Sequence, residues 1–289
     1  MNKLNILCIG GDARFIYMCS YLSMKYNVYA YGTQEAPEGT VTICSPKEMP
    51  VKADVLVLPM LNCISEENGS LLLPCRDGNI GIGEIIPYLK DGAIIAGGLV
   101  SEKAASFFHN VGYEVTDYFK RRELVVKNCI PTAEGALMIA MRERNETVYG
   151  STVLITGFGN VAKAAAKLFS ACGAEVTCAV RRKDAAAEAE CAGYRSADIS
   201  DPKVYADGNG IIINTVPALV INAGILEKLN ISTLLIDLAS KPGGIDFAAA
   251  EKLGIKCFHA LALPGKVAPV TAGRYIAETV ENIISERRG

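Results

Sequence analysis

The stretch from Thr152 to Ala162, TVLITGFGNVA in one-letter code, constrains the fold more than any other part of this chain. A short apolar run of strand length meets two glycines and then a helix-forming segment at 160–172. Gly157 and Gly159 let the backbone turn tightly and approach a pyrophosphate, whose charge is favoured at a helix N-terminus. Phe158, Asn160 and Val161 complete the turn, and Ala162 is small enough for helix and strand to pack closely. A second strand-like run at Glu175–Ala179 supplies the context that turns a weak glycine pattern into a dinucleotide-binding expectation.

The end of that second run separates two cofactors. An NAD site places a carboxylate there for the ribose 2′-hydroxyl, whereas an NADP site offers cationic donors to a 2′-phosphate. Here Arg181, Arg182 and Lys183 follow Val180, and the first carboxylate is Asp184. NADP is therefore expected over NAD, with Arg181 and Arg182 as its phosphate forks. Ligands of open α/β sheets bind beyond the carboxyl ends of the strands. Three further strand ends join the expected cofactor site: Asn214, Thr215, Val216 and Pro217; then Asp237, Leu238 and Ala239; then Pro264 and Gly265.

A chain of 289 residues suits two domains better than one small core. Strand-like runs alternate with helical ones in both halves, predicting two Rossmann-like, doubly wound α/β domains with parallel sheets. The expected boundaries are 1–130 for an N-terminal domain on the substrate side and 131–271 for the nucleotide-binding domain. The latter begins with a linker helix at 131–145, and a hinge is placed near 143–151. The C-terminal helix, 272–289, carries Ala272, Ile276, Val280 and Ile283 at helical spacing and is expected to pack back across the junction on the N-terminal domain. The polar run 62–79 shows little periodicity and reads as a long loop or lid.

Half of the residues are apolar and the net charge is -2, which argues against a general nucleic-acid surface. No run reaches the ~18–20 apolar residues of a membrane span, and no secretory leader is expected. The ten cysteines lack paired CxxC spacing or histidine neighbours, so a reduced, cytoplasmic protein without a structural metal is expected.

Lys241 is the leading candidate for chemistry, because it follows Asp237 on a Pro-Gly-Gly loop at a strand end. It suits a substrate carboxylate or, desolvated, a base. From the first half, Arg14 at the Gly10-Gly11-Asp12 turn and Arg121 or Arg122 are candidate carboxylate clamps. His259 stands at a strand terminus and His109 within a helix, each as readily a plain structural residue. A D-2-hydroxyacid dehydrogenase mechanism is disfavoured: Ala218 follows Pro217 where an arginine is required, and Pro264-Gly265 stands where a Pro-His pair is required.

The assembled motifs resemble the dipicolinate synthase A-subunit family of spore-forming bacteria. They are IGGDAR at 9–14, IPTAEG at 130–135, INTVP at 213–217, DLASKPGG at 237–244 and LPGKVAPVTAG at 263–273. Lys241 stands where that family has arginine, which keeps a cation and favours carboxylate binding over a base, and His259 has no counterpart there. The resemblance implies NADP-dependent oxidation of a dihydrodipicolinate-type dicarboxylate to dipicolinate in the mother-cell cytoplasm during sporulation. It implies the B subunit of dipicolinate synthase as partner, and a homo-oligomer is expected besides. A nucleotide-binding regulatory subunit without its own chemistry, or an alanine- or hydroxyacid-dehydrogenase-like enzyme, remains an alternative.

Overall fold

The computed structural model describes residues 3–61, 65–67, 70–206, 208 and 210–288. The strands are β1 (Asn5–Ile9), β2 (Asn27–Tyr31), β3 (Val41–Ile43), β4 (Ala53–Met60), β5 (Ser65–Glu67), β6 (Ser70–Cys75), β7 (Gly78–Gly81), β8 (Leu89–Gly98) and β9 (Val115–Asp117) in the first half. The second half contributes β10 (Thr152–Thr156), β11 (Glu175–Val180), β12 (Arg195–Asp198), β13 (Ile211–Asn214), β14 (Leu234–Asp237) and β15 (Cys257–His259). The chain divides into two compact units, Met1–Lys127 with Ala268–Gly289, and Asn128–Val267.

Each unit is built on a six-stranded parallel sheet, β3-β2-β1-β4-β8-β9 in the first and β12-β11-β10-β13-β14-β15 in the second. Both are doubly wound Rossmann-like sheets, with the chain reversing direction between the first and fourth parallel strands. The central strands β1, β4, β10, β13 and β14 are almost wholly buried, as sheets covered by helices on both faces require.

In the first unit the helix Pro269–Arg288 packs on the helix Ala13–Ser23 through Ile276, Val280 and Ile283. A Cβ on Gly273 would stand 2.4 Å from the Arg14 carbonyl oxygen, so this approach needs a glycine. In the second unit the helix Cys129–Glu143 buries Ala133, Ala136, Ile139 and Ala140 in the core. Pro131 lies in its first turn, where a missing N–H costs no intrahelical bond. This helix lies within the second unit, and the two units divide at 127/128 and 267/268.

Two expectations change. The run 62–79 is not a loop: β5, β6 and β7 form an antiparallel sheet, while positions 62–64 and 68–69 of that run lie outside the described residues. Leu71, Leu73 and Ile80 dock it on the core around Leu7, Leu56 and Leu58. The helical stretch 122–143 does meet the length and composition of a membrane span, contrary to the sequence reading, although much of its apolar surface serves the core.

Candidate functional site

In the second unit, β10 runs into Gly157, whose φ of +88° suits glycine and whose N–H donates to the Ala179 carbonyl at 2.8 Å. A Cβ there would come within 2.8 Å of Thr215 Oγ1. Gly159 N-caps the helix Asn160–Ala171 without any side-chain hydrogen bond. A Cβ on Gly159 would meet nothing within 4 Å. The helix N-terminus is thus uncapped by its own chain and faces open space, the arrangement that binds a phosphate. Ala162 is fully buried beneath it, and Asn160 is exposed. The Phe158 ring points into the core against Tyr194, so only its main chain remains for a ligand.

Beyond β13 and β14 a buried polar network shapes the strand ends. Asn214 Nδ2 donates to Asp237 Oδ1 at 2.7 Å and to the Val216 carbonyl at 3.0 Å, while Thr156 Oγ1 donates to Asn214 Oδ1 at 2.6 Å. The N–H groups of Ala239 and Gly244 donate to the two Asp237 carboxylate oxygens at 3.0 and 2.7 Å. Asn214 and Asp237 are fully buried, and this corrects their expected role. Their side chains fold the loops instead of facing a cofactor. Thr215, likewise, donates its hydroxyl to the Thr156 carbonyl at 2.6 Å. Pro217 is exposed, Val216 and Leu238 are half-buried, and Ala239 is buried. Pro264 and Gly265 lie in a short helix, Leu263–Val267, rather than an open loop, because Leu263 packs on the bare backbone of Gly135.

Arg181 and Arg182 are exposed just past β11, Arg182 pairing with Asp184 at 3.1 Å. Lys241 is exposed on the β14 loop. Next to that loop, a His259 ring nitrogen donates to the Ala239 carbonyl at 3.2 Å, and the ring stacks on Phe247. His259 therefore braces the loop.

The first unit places Arg14 differently. Asp12 caps the helix Ala13–Ser23 by accepting from the Arg14 N–H at 3.0 Å, and its carboxylate pairs with the Arg14 side chain at 2.6 Å. Arg14 is 6% exposed and lies 5.6 Å from the centroid of the Phe119 ring. Burial works to raise the Asp12 pKa, but the bonds and charge of Arg14 prevail and hold it below the ordinary value. Both residues line a cavity of about 550 Å³ beyond the carboxyl ends of β1, β2 and β4. Arg76 lines it too, a residue sequence reasoning passed over because the hairpin that carries it was read as loop. Its flags were Leu71, Leu73 and Ile80 alternating about Asp77-Gly78, the signature of a tight hairpin.

Arg121 does not join this group. Its guanidinium is held by Glu286 at 2.5 and 2.7 Å and by Glu123 at 2.9 Å, which raises its pKa further. Two carboxylates satisfy that cation, so the expected clamp is a strut between the 118–123 segment and the C-terminal helix. Arg122 is exposed and outside the cavity lining.

The two units match two known domain families. Residues 5–119 match the N-terminal domain of the dipicolinate synthase A subunit, and residues 132–239 match the NAD-binding domain of D-isomer-specific 2-hydroxyacid dehydrogenases. The dipicolinate synthase A subunit of Bacillus subtilis is 29% identical over 99% of this chain and 97% of its own length. The chain resembles the dipicolinate synthase A-subunit family along its whole length. Two crystal structures of that family agree. The protein from Bacillus halodurans superposes with a TM-score of 0.85 at 29% identity, covering 98% of each chain. The Bacillus subtilis protein gives 0.85 at 29%, covering 100% of this chain and 98% of its own.

As in other dehydrogenase-type domains, the second unit is built for a nicotinamide dinucleotide. The residues present fit that group: the uncapped helix start and the open space over Gly159 accept a pyrophosphate without rearrangement. The match covers residues 132–239 and shows the nucleotide-binding domain alone.

Proposed function

We propose that this chain is the NADP-dependent component of a dipicolinate synthase, oxidising a dihydrodipicolinate-type dicarboxylate to pyridine-2,6-dicarboxylate together with the B subunit of that enzyme. The open N-terminus of the helix Asn160–Ala171, with Arg181 and Arg182 at the end of β11, is the observation that carries this reading. Bound nicotinamide supplies a two-electron acceptor, so that the ring gives up a hydride and a proton as it becomes aromatic.

The chain's residues bind and orient. Main-chain groups of Gly157, Phe158, Gly159, Asn160 and Val161 take the pyrophosphate, and the two arginines take the 2′-phosphate. The Asn214–Asp237 network stiffens the strand-end loops, so that Thr215, Val216, Pro217, Leu238 and Ala239 present a fixed surface. Arg14 supplies a cation for a substrate carboxylate, and Lys241 adds positive charge on the loop after β14. Asp12, with its depressed pKa, holds protons weakly, and the ring proton leaves to water. The setting proposed is the cytoplasm of the mother cell during sporulation.

The test is an absorbance assay with freshly generated lysine-pathway intermediate and NADP, following dipicolinate and NADPH together, with and without the B subunit. Equal formation of both products by the chain alone supports a self-sufficient dehydrogenase. Formation only when the B subunit is present supports a shared site. No NADPH under either condition overturns the proposal and leaves a nucleotide-binding regulatory role.

A further inference from the structure

The cavity of the first unit is assembled by features that a nucleotide-binding turn would not have. Gly10 and Gly32, at the ends of β1 and β2, have φ of +62° and +64°. A Cβ on Gly10 would stand 2.8 Å from the Pro74 carbonyl oxygen, and one on Gly32 would stand 2.6 Å from Cys75 Cβ. The end of β6 therefore lies on these two bare backbones, and the Arg76 N–H donates to the Gly32 carbonyl at 2.9 Å. This seating fixes the main chain of Arg76 at the rim while leaving its side chain 60% exposed, with the still more solvated Asp77 beside it at 3.8 Å.

The contents of the cavity select a ligand class. Asp12 occupies the helix N-terminus, so the place where a phosphate would bind already holds a carboxylate. Phe15, Pro59, Met60, Pro74 and Phe119 give apolar walls suited to a flat ring. Asp12 engages Arg14 through Nε and Nη2, and among the described residues no hydrogen bond is made by Nη1. Asp12 and Arg14 cancel in charge, the Cys75 thiol is pushed up to about 11 by burial and stays neutral, and Arg76 leaves the lining cationic.

We propose that this cavity binds a flat ring bearing two carboxylates, one held by Arg76 and the other by the free Nη1 edge of Arg14. The choice of two carboxylates rests on the reaction proposed above; the cavity, its apolar walls and its two guanidinium groups do not. Arg76 is then the residue that distinguishes a dicarboxylate from a monocarboxylate.

Calorimetric titration of the whole chain tests this with three probes: pyridine-2,6-dicarboxylate, benzene-1,3-dicarboxylate and pyridine-2-carboxylate. The dicarboxylates should bind at least tenfold more tightly than the monocarboxylate. Arg76→Gln should remove that advantage and Arg76→Lys should restore part of it, with an unchanged melting temperature because the side chain is solvated. Lys120→Gln, an exposed cation outside the lining, is the charge-matched control and should leave binding unchanged. Dicarboxylate affinity within twofold of wild type in Arg76→Gln, or no preference for two carboxylates over one, overturns the assignment. Arg76-dependent binding of the dicarboxylate probes without any turnover of the proposed substrate keeps the cavity and removes the proposed reaction. Turnover of the proposed substrate that Arg76→Gln leaves untouched keeps the reaction and removes the cavity.

Discussion

The two units share a sheet order and differ in what fills the turn after the first strand. In the second unit, Gly157 and Gly159 lead into a helix whose N-terminus meets open space. In the first, the equivalent turn is filled by its own chain: Asp12 caps the helix, and Pro74 crosses over Gly10. Topology puts a ligand site at the carboxyl edge of both sheets. The occupant of the turn decides whether that site takes a pyrophosphate or something smaller and more apolar.

Strand-end carboxylates give the sharpest test of this contrast. Asp237 in the second unit and Asp117 in the first each gather strand-end backbone N–H groups, Asp117 from Leu99, Val100 and Phe119 at 3.1, 3.0 and 2.9 Å. Asp237 is fully buried and Asp117 is not. Asp237→Leu strands several buried donors and should lower the unfolding free energy by about 3 kcal/mol or more, against about 1–2 kcal/mol for Asp117→Leu. Urea denaturation reads both, and equal losses would mean that burial is not what separates the two loops.

Paired glycine substitutions come next. Gly11 has φ of +95°, and a Cβ there would stand 2.2 Å from the buried Phe15 ring, so Gly11→Ala should cost about 2 kcal/mol or more in stability. Gly159→Ala has an ordinary φ and free space, so it should fold normally yet weaken dinucleotide binding about tenfold or more. If Gly159→Ala binds NADP as wild type does, the open helix start is not the phosphate site.

Joint replacement of Arg181 and Arg182 by Ala should weaken NADP about tenfold or more while changing NAD affinity little, since a charge-assisted contact contributes about 1.5–3 kcal/mol. Equal loss of both cofactors in equilibrium titrations would remove the 2′-phosphate role.

Acid should weaken the first unit through Asp12. Its native pKa lies below the unfolded value of about 3.9. The stability it contributes is therefore present above that pH and lost as pH falls through the native value. Melting curves of wild type and Asp12→Asn should differ at neutral pH and converge in strong acid; a gap that persists there contradicts the assignment. The smallest effect is expected for Arg121→Gln, within about 1 kcal/mol despite three short bonds, because Glu286 is exposed. A larger loss on denaturation would give Arg121 more than a bracing role.

Legibility in the sequence followed hydrophobic contrast. β10 and β11 were readable, β11 to within one residue, because each is an apolar run bounded by turn chemistry, whereas β3 and β12 are edge strands of three and four residues with little apolar pattern. The glycine turn at 157–159 was legible because its geometry is local. Arg76 was not, because its position depends on a hairpin landing on Gly10 and Gly32, residues far away in sequence. Asn214 and Asp237 were legible as special but not as structural, since a strand-end polar residue looks alike whether it turns inward or outward. Arg121 failed for a similar reason: Glu286, its partner, is 165 residues away.

The antiparallel hairpin also has a consequence for how this architecture diversifies. It leaves the parallel sheet after β4 and returns before β8, and among the described residues it pairs with no parallel strand. Its recognition residue can therefore be exchanged like an interchangeable tool head, without rewriting the strand pairings that fold the sheet. The fitting is the pair of bare backbones at positions 10 and 32. A hairpin transplanted from a relative will seat wherever those two positions stay glycine, and specificity for the ring can then drift while the dinucleotide machinery of the other unit stands still.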